Sequence, residues 1–163
     1  MADARLTHVD ATGAARMVDV SAKDSTPRLA RASGRVLVSA EVAELLRGEG
    51  VPKGDALGVA RVAGILGAKK TPELVPLCHP IAVTGVTVDL TVAAGAVHIE
   101  ASVRTTDRTG VEMEALTAVA TAALALVDMV KAVDRAAVIT DIRVEEKSGG
   151  ASGTWLRGDE AAR

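Results

Sequence analysis

The sequence predicts an α+β domain with a ferredoxin-like βαββαβ order, in which one antiparallel sheet carries its helices packed on one face. The main observation is that segments with apolar residues at every second position alternate with segments of helical spacing. The second is that 163 residues suit one domain, without an internal repeat or linker to divide it. We therefore expect a single domain over 1–163, with flexible ends at 1–15 and 156–163.

The composition restricts both the core and the possible partners. Apolar residues make up 48% of the chain, with no Phe or Tyr and one Trp, so Val, Leu, Ile and Ala must form the core. The mean hydropathy of +0.26 is high for a small monomer, which favours subunit contacts. A net charge of −2 argues against nucleic-acid binding. No apolar run reaches the roughly 20 residues of a membrane span, and a single cysteine fits a reducing cytoplasm.

The first part of the chain alternates extended and helical patterns. An extended segment at 17–21 and a polar loop at 22–28 precede a strand predicted over 32–38. Ser39 is a suitable cap for a short helix that runs through Arg47 and ends at the following glycines, 48 and 50.

A second helix is predicted over 55–70, where apolar residues recur at helical spacing. Pro72, Pro76 and Pro80 follow at intervals of four residues. Because a proline clashes with the carbonyl group four residues earlier, this spacing predicts a stiff, extended loop without regular helix.

The second part of the chain predicts a hairpin, a long helix and a last strand. Alternating apolar residues over 82–92 and 96–106 pair across the turn at 93–95. The long helix lies between Gly110 and Lys131, and a strand is expected over 137–144. Glycines at 149, 150 and 153 predict a loop-like tail.

The long helix has an uncharged centre with ionisable residues at both ends. Glu112 and Glu114 precede the stretch Ala115–Val127, and Asp128 and Lys131 follow it. The fourteen residue steps from Glu114 to Asp128 span roughly 21 Å, too far for one small substrate to touch both ends. If both ends do chemistry, two such helices must run antiparallel across a subunit interface. The chain is therefore expected to be an oligomeric enzyme with shared sites.

Each pair of ionisable residues has a structural and a functional interpretation. Asp128 and Lys131 lie on one face of the helix. They form either an ordinary ion pair or a lysine acid–base group that the carboxylate orients. Glu112 and Glu114 suit the positive end of a helix dipole. Alternatively, they belong to a turn at Gly110 that grips a substrate.

A thiol and an imidazole stand side by side in the proline-rich loop, as Cys78 and His79. The other histidines, His8 and His98, have no ligand-like spacing, so no metal site is predicted. Adjacent residues in an extended loop point apart, which argues against Cys–His catalysis. We interpret the segment as a rigid loop that presents His79 as a hydrogen-bond donor to a substrate.

Several loops carry cations. Lys53 comes two residues before Asp55, a candidate helix cap. This puts Lys53 on a loop at the positive end of the helix, a geometry that suits an anion. Lys147 begins a Lys-Ser-Gly-Gly segment, which is either a phosphate-binding nest or a solvated turn. Lys23 and Arg28 add positive charge to the N-terminal loop. Cations on separate loops, without a Walker or Gly-x-Gly-x-x-Gly pattern, indicate a phosphorylated small molecule as ligand.

Taken together, these segments resemble the MoaC family, the cyclic pyranopterin monophosphate synthases of molybdenum cofactor biosynthesis. The resemblance runs from Met17 to Gly153 and is carried by eight ordered segments: MVDVSAK (17–23), KGD (53–55), ARVAGI (60–65), AKKT (68–71), LVPLCHP (74–80), TGVEMEALTA (109–118), DMVKA (128–132) and KSGG (147–150). Eight segments in order are far more specific than any one of them.

The resemblance implies a cytoplasmic lyase that converts 3′,8-cyclo-7,8-dihydroguanosine 5′-triphosphate to cyclic pyranopterin monophosphate and diphosphate. It implies Asp128 as the active-site residue, with Lys131 and Lys53 as acid–base groups. It also implies a homohexamer, built as a trimer of dimers, with no required cofactor and with Mg²⁺ possible on the triphosphate. The substrate-binding residues expected by this resemblance are Leu77, Cys78, His79, Glu112, Met113 and Glu114, with Lys147, Lys23 and Arg28 on the triphosphate.

Two other classes of protein remain open at this point. A nucleotide-binding regulator without catalysis would also use cationic loops, because folds of this type often bind ligands without chemistry. A purely structural protein would explain the apolar helix but would leave the cationic loops without a role. Acid–base residues at both helix ends favour the enzyme, and release of diphosphate would distinguish it from a regulator.

Overall fold

The helices and strands follow the chain order strand, three helices, two strands, helix, two strands. A computed structural model describes residues 9–10, 12–48 and 51–158. The elements are β1 (Thr26–Leu37), α1 (Ala40–Arg47), α2 (Ala56–Lys69), α3 (Thr71–Leu74), β2 (Gly85–Ala93), β3 (Ala96–Asp107), α4 (Glu112–Val130), β4 (Val138–Ser148) and β5 (Trp155–Leu156).

One antiparallel sheet, in the order β2-β3-β1-β4-β5, forms the base of the domain. Buried and exposed residues alternate along β1 and β3, as expected for a sheet with one face covered. Helix α4 packs across β1, β3 and β4, and α2 packs on α4 and β2. The α+β class with one antiparallel sheet is thus confirmed, whereas the exact ferredoxin-like topology stays a prediction.

Two glycines allow α2 to lie very close to α4. A Cβ atom added at Gly64 would lie 2.9 Å from the carbonyl oxygen of Ala118, and one at Gly67 would overlap the side chain of Thr121. By length and composition α4 could also cross a membrane. Here it fills the space between α2 and the sheet, and Ala115, Ala122 and Leu126 on it are fully buried. It is therefore the central core helix of the described residues.

The predicted helix caps are present. The Ser39 hydroxyl accepts a hydrogen bond from the Val42 backbone N–H at 3.3 Å, at the start of α1. The Asp55 carboxylate accepts one from the Gly58 N–H at 2.8 Å, at the start of α2. Both side chains thus satisfy donors that the first helical turn leaves without an internal partner.

Strand β1 begins earlier than the sequence analysis predicted. It starts at Thr26 and not at Ala32, so Arg28 lies in a strand and not in a loop. The reason is the length of β3, which pairs with β1 over the whole strand, from Thr26 opposite Asp107 to Leu37 opposite Ala96. Polar side chains on the uncovered face of the sheet concealed this strand in the hydropathy pattern.

Further differences concern the proline loop, the tail and residues 17–21. Helix α3 contains Pro72, although the proline spacing predicted a loop without helix; a proline is tolerated here because the first turn needs no N–H from it. Strand β4 continues to Ser148, and a short β5 pairs with it, with Trp155 opposite Lys147. Residues 17–21 form no strand. The expectations for 1–8, 11, 50 and 159–163 lie outside the described residues.

Gly64→Val tests the contact between α2 and α4. The added side chain meets a backbone carbonyl that cannot move aside, so we expect a loss of about 2 kcal/mol in the free energy of unfolding by urea. Gly85→Val is the control, because a Cβ atom there has no neighbour within 4 Å. Equal stability of the two variants would contradict the close contact.

Candidate active site

A cavity of about 340 Å³ opens at the N-terminal end of α4. Three segments form its walls: residues from 18–23 before β1, from 77–81 after α3, and from 109–114 at the start of α4. Seven of the nine predicted substrate-binding residues line it: Lys23, Leu77, Cys78, His79, Glu112, Met113 and Glu114. The structure thus brings together residues that are far apart in the sequence.

Glu114 is a buried carboxyl group in the wall of this cavity. Its residue is only 2% exposed, and burial, together with the nearby charge of Glu112, raises its pKa to about 7. A carboxyl group with a pKa near neutrality can both give and take a proton at the pH of the cell. The buried Glu114 is therefore suited to proton transfer as well as to substrate binding.

Cys78 and His79 contribute differently to the cavity. Burial, reinforced by the charge of Glu114, raises the pKa of the Cys78 thiol, so this thiol is not activated as a nucleophile. The Nε2 atom of His79 donates a hydrogen bond to the Val18 carbonyl oxygen at 2.7 Å. In this arrangement His79 holds the 18–23 wall, and only its Nδ1 atom remains for a substrate.

Lys147 lies beside Glu112, one of the residues that line this cavity. Its Nζ atom is 3.6 Å from Oε1 of Glu112 and donates a hydrogen bond to the Ser152 hydroxyl at 2.6 Å. Its neighbours Gly149 and Gly150 have positive φ angles of 95° and 74°. A Cβ atom at Gly150 would overlap the guanidinium group of Arg28. The turn after β4 therefore lies directly against Arg28, another of the predicted phosphate-binding cations.

Asp128, Lys53 and Lys131 form a second cluster, at the C-terminal end of α4. The Asp128 carboxylate lies 2.6 Å from Nζ of Lys131 and 3.0 Å from Nζ of Lys53, which also donates to the Asp128 carbonyl oxygen at 2.7 Å. Hydrogen bonds from Lys131 and Lys53 lower the pKa of Asp128. The structure thus brings together all three predicted catalytic residues, with the aspartate ionised between two lysines.

The two clusters do not meet within one chain. Glu114 and Asp128 lie on the same helix, and a rise of about 1.5 Å per residue separates them by roughly 21 Å. The cavity at the first end and the hollow at the other, which Lys53, Lys131, Ala132 and Arg135 line, have no residue in common. Each end of α4 therefore presents half of the predicted site.

Some residues of both clusters were not predicted from the sequence. Ile81 and Thr109 line the cavity, Arg135 lines the hollow beside Lys131, and Arg108 contacts the backbone of Lys23. Arg135 follows Lys131 by four residues, and its charge was a signal that could have been used. Among the described residues, no group of three or more His, Cys, Asp or Glu side chains is placed to hold a metal ion.

This α+β domain has a buried carboxyl group whose pKa lies near neutrality, an aspartate between two lysines, and cations near a cavity. Such an arrangement is that of an acid–base enzyme. The chain belongs to the MoaC family, whose model matches residues 17–150.

The chain is also similar to cyclic pyranopterin monophosphate synthases of several bacteria. The protein of Streptomyces coelicolor is 73% identical over 153 residues, which cover 94% of this chain and 90% of the relative. That of a Nocardioides species is 72% identical over 156 residues, covering 94% and 96%. Cyclic pyranopterin monophosphate synthase 2 of Mycobacterium tuberculosis is 59% identical over 152 residues, covering 93% and 91%.

Glu114→Gln tests the protonation state of the buried carboxyl group. Because the folded chain binds this proton more tightly than the unfolded chain, the wild type loses stability as the pH rises through about 7. Glutamine mimics the protonated acid and does not titrate. We therefore expect the wild type to lose on the order of 2 kcal/mol relative to the variant between about pH 5 and pH 8. Urea unfolding at both pH values measures this, and parallel pH profiles would contradict the raised pKa.

Proposed function

We propose that this chain is a cyclic pyranopterin monophosphate synthase, a lyase of molybdenum cofactor biosynthesis. Its substrate is 3′,8-cyclo-7,8-dihydroguanosine 5′-triphosphate, and its products are cyclic pyranopterin monophosphate and diphosphate. The observation that carries the proposal is the agreement between the family membership and the geometry. The proposed reaction needs acid–base groups and cations for a triphosphate. Both kinds of group are present at the ends of α4.

The reaction needs proton transfer, because rings derived from the purine must open and close again. Lys131 and Lys53 are the proposed acid–base groups, and Asp128 orients both of them through its carboxylate oxygens. Glu114, with a pKa of about 7, adds a group that is able to exchange a proton inside the cavity. Leu77, Cys78, His79 and Met113 complete the proposed walls around the ring system.

The triphosphate needs positive charge, because forming a cyclic monophosphate expels diphosphate and negative charge accumulates on the leaving group. Lys147, Lys23 and Arg28 are the proposed contacts, and Lys147 lies beside Glu112 in the cavity wall. Mg²⁺ could accompany the triphosphate as part of the substrate. No resident cofactor is included in the proposal.

We propose further that the enzyme is a cytoplasmic homohexamer, a trimer of dimers, with sites shared between subunits. Large apolar side chains on α2 and α4 are exposed in the single chain: Val59 (46%), Val62 (65%), Leu66 (52%) and Leu124 (60%). An exposed apolar patch on a helix layer is typical of a protein–protein interface. Pairing α4 helices in antiparallel orientation would join the Glu114 end of one subunit to the Lys131 end of the next.

Lys53→Ala and Lys131→Ala test the acid–base assignment. We expect each variant to fold normally but to lose at least about a hundredfold in turnover, measured as diphosphate released from the cyclic dihydro-GTP. Arg47→Ala is the control, because Arg47 is an exposed cation in a helical ion pair with Glu44 and lines neither the cavity nor the hollow. Near-wild-type rates in either lysine variant would remove that lysine from the mechanism. Absence of diphosphate release by the wild type would favour a nucleotide-binding regulator.

Mixing Lys131→Ala and Glu114→Ala subunits tests the shared site. Each variant alone carries a defect in every site, whereas a mixed dimer contains one site with both defects and one intact site. Equal mixing with full exchange should therefore restore about a quarter of the wild-type activity. Native mass spectrometry verifies the exchange of subunits. Mixed oligomers that stay inactive would show that each site is built within one chain.

A further inference from the structure

The 18–23 segment forms one wall of the cavity without belonging to a helix or strand. Val18, Val20 and Lys23 line the cavity. The Lys23 backbone N–H donates to the Val20 carbonyl oxygen at 3.0 Å, and the Ser21 N–H donates to Oδ1 of Asp19 at 2.9 Å. These local turns give the segment a shape, but they do not fix its position on the domain.

Two side chains from other parts of the chain attach this segment at its two ends. His79 donates from Nε2 to the Val18 carbonyl oxygen at 2.7 Å. Arg108 donates from Nε to the Lys23 carbonyl oxygen at 3.0 Å. The wall is thus held from outside at both of its terminal residues.

Arg108 is itself anchored at the end of β3. Its backbone N–H donates to the Asp107 carboxylate at 2.7 Å, and Asp107 is the last residue of β3, paired with Thr26 of β1. The Arg108 carbonyl oxygen accepts a hydrogen bond from Nη2 of Arg28 at 3.3 Å. Arg108 therefore connects the two segments that carry the proposed triphosphate contacts Lys23 and Arg28.

We propose that Arg108 is a positioning residue, which fixes the 18–23 wall through the Lys23 carbonyl and so sets where the Lys23 ammonium group meets the substrate. Its own Nε is engaged by a backbone oxygen, and the side chain lies along the outer side of the wall, beside Met17, Asp19 and Ser21. Arg108 thus acts on the substrate through Lys23. The kinetic part of this inference rests on the proposed function, whereas the structural part does not.

Amide hydrogen exchange of the full-length protein without substrate tests the structural part. Arg108→Ala should raise the exchange rate of the 18–23 amides roughly tenfold, because one hydrogen bond from a charged donor is lost. Arg104→Ala is the matched control, an exposed arginine on β3 that borders a hollow on the uncovered face of the sheet. Unchanged exchange of 18–23 in Arg108→Ala would overturn the inference.

A double-mutant cycle with Lys23→Ala tests whether Arg108 acts through Lys23. Arg108→Ala should raise KM for the cyclic dihydro-GTP roughly tenfold with kcat within about twofold, and should add little in the Lys23→Ala background. Additive effects on KM would show that Arg108 acts independently of Lys23, which would overturn the positioning role. If the wild type shows no turnover, the proposed function is refuted. Faster amide exchange of 18–23 in Arg108→Ala would in that case still support the anchoring by Arg108.

Discussion

The close packing of α4 between α2 and the sheet is the constraint on which the rest of the structure depends. Gly64 and Gly67 have no side chains that would keep α2 away from α4. The alanine-rich face of α4 fills the remaining space. No side-chain hydrogen bond caps the N-terminus of α4. Packing, and not a side-chain cap, therefore holds the N-terminal end of this helix.

The two ends of α4 place carboxyl groups in opposite surroundings. Glu114 is buried and has a pKa raised to about 7, whereas Asp128 is exposed and has a pKa lowered by hydrogen bonds from Lys131 and Lys53. Two groups of the same chemistry are thereby kept in different protonation states near neutral pH. An oligomer that joins the two ends would obtain an acid and a base at one site without a metal ion.

Local patterns predicted the local structure well, and long-range contacts explain what they missed. Ser39 and Asp55 were identified as caps because a cap depends only on its next three residues. The contact between Lys53 and Asp128 joins residues 75 positions apart, so the sequence pattern alone could not show it. The acidic first turn of α4 suggested a helix dipole, and only the surrounding walls reveal that Glu114 is buried.

The short strand β5 gives the protein an unusual optical property. Trp155 is the only tryptophan, and the chain has no tyrosine or phenylalanine, so its entire near-ultraviolet absorption and emission originate from one indole ring. Trp155 pairs in strand register with Lys147, whose Nζ atom lies 3.6 Å from Oε1 of Glu112 in the cavity wall. The Arg157 guanidinium carbon lies 5.5 Å from the centre of the indole ring. The intrinsic fluorescence of the molecule is therefore a local signal from the neighbourhood of Lys147, a proposed phosphate contact, and carries no contribution from the core.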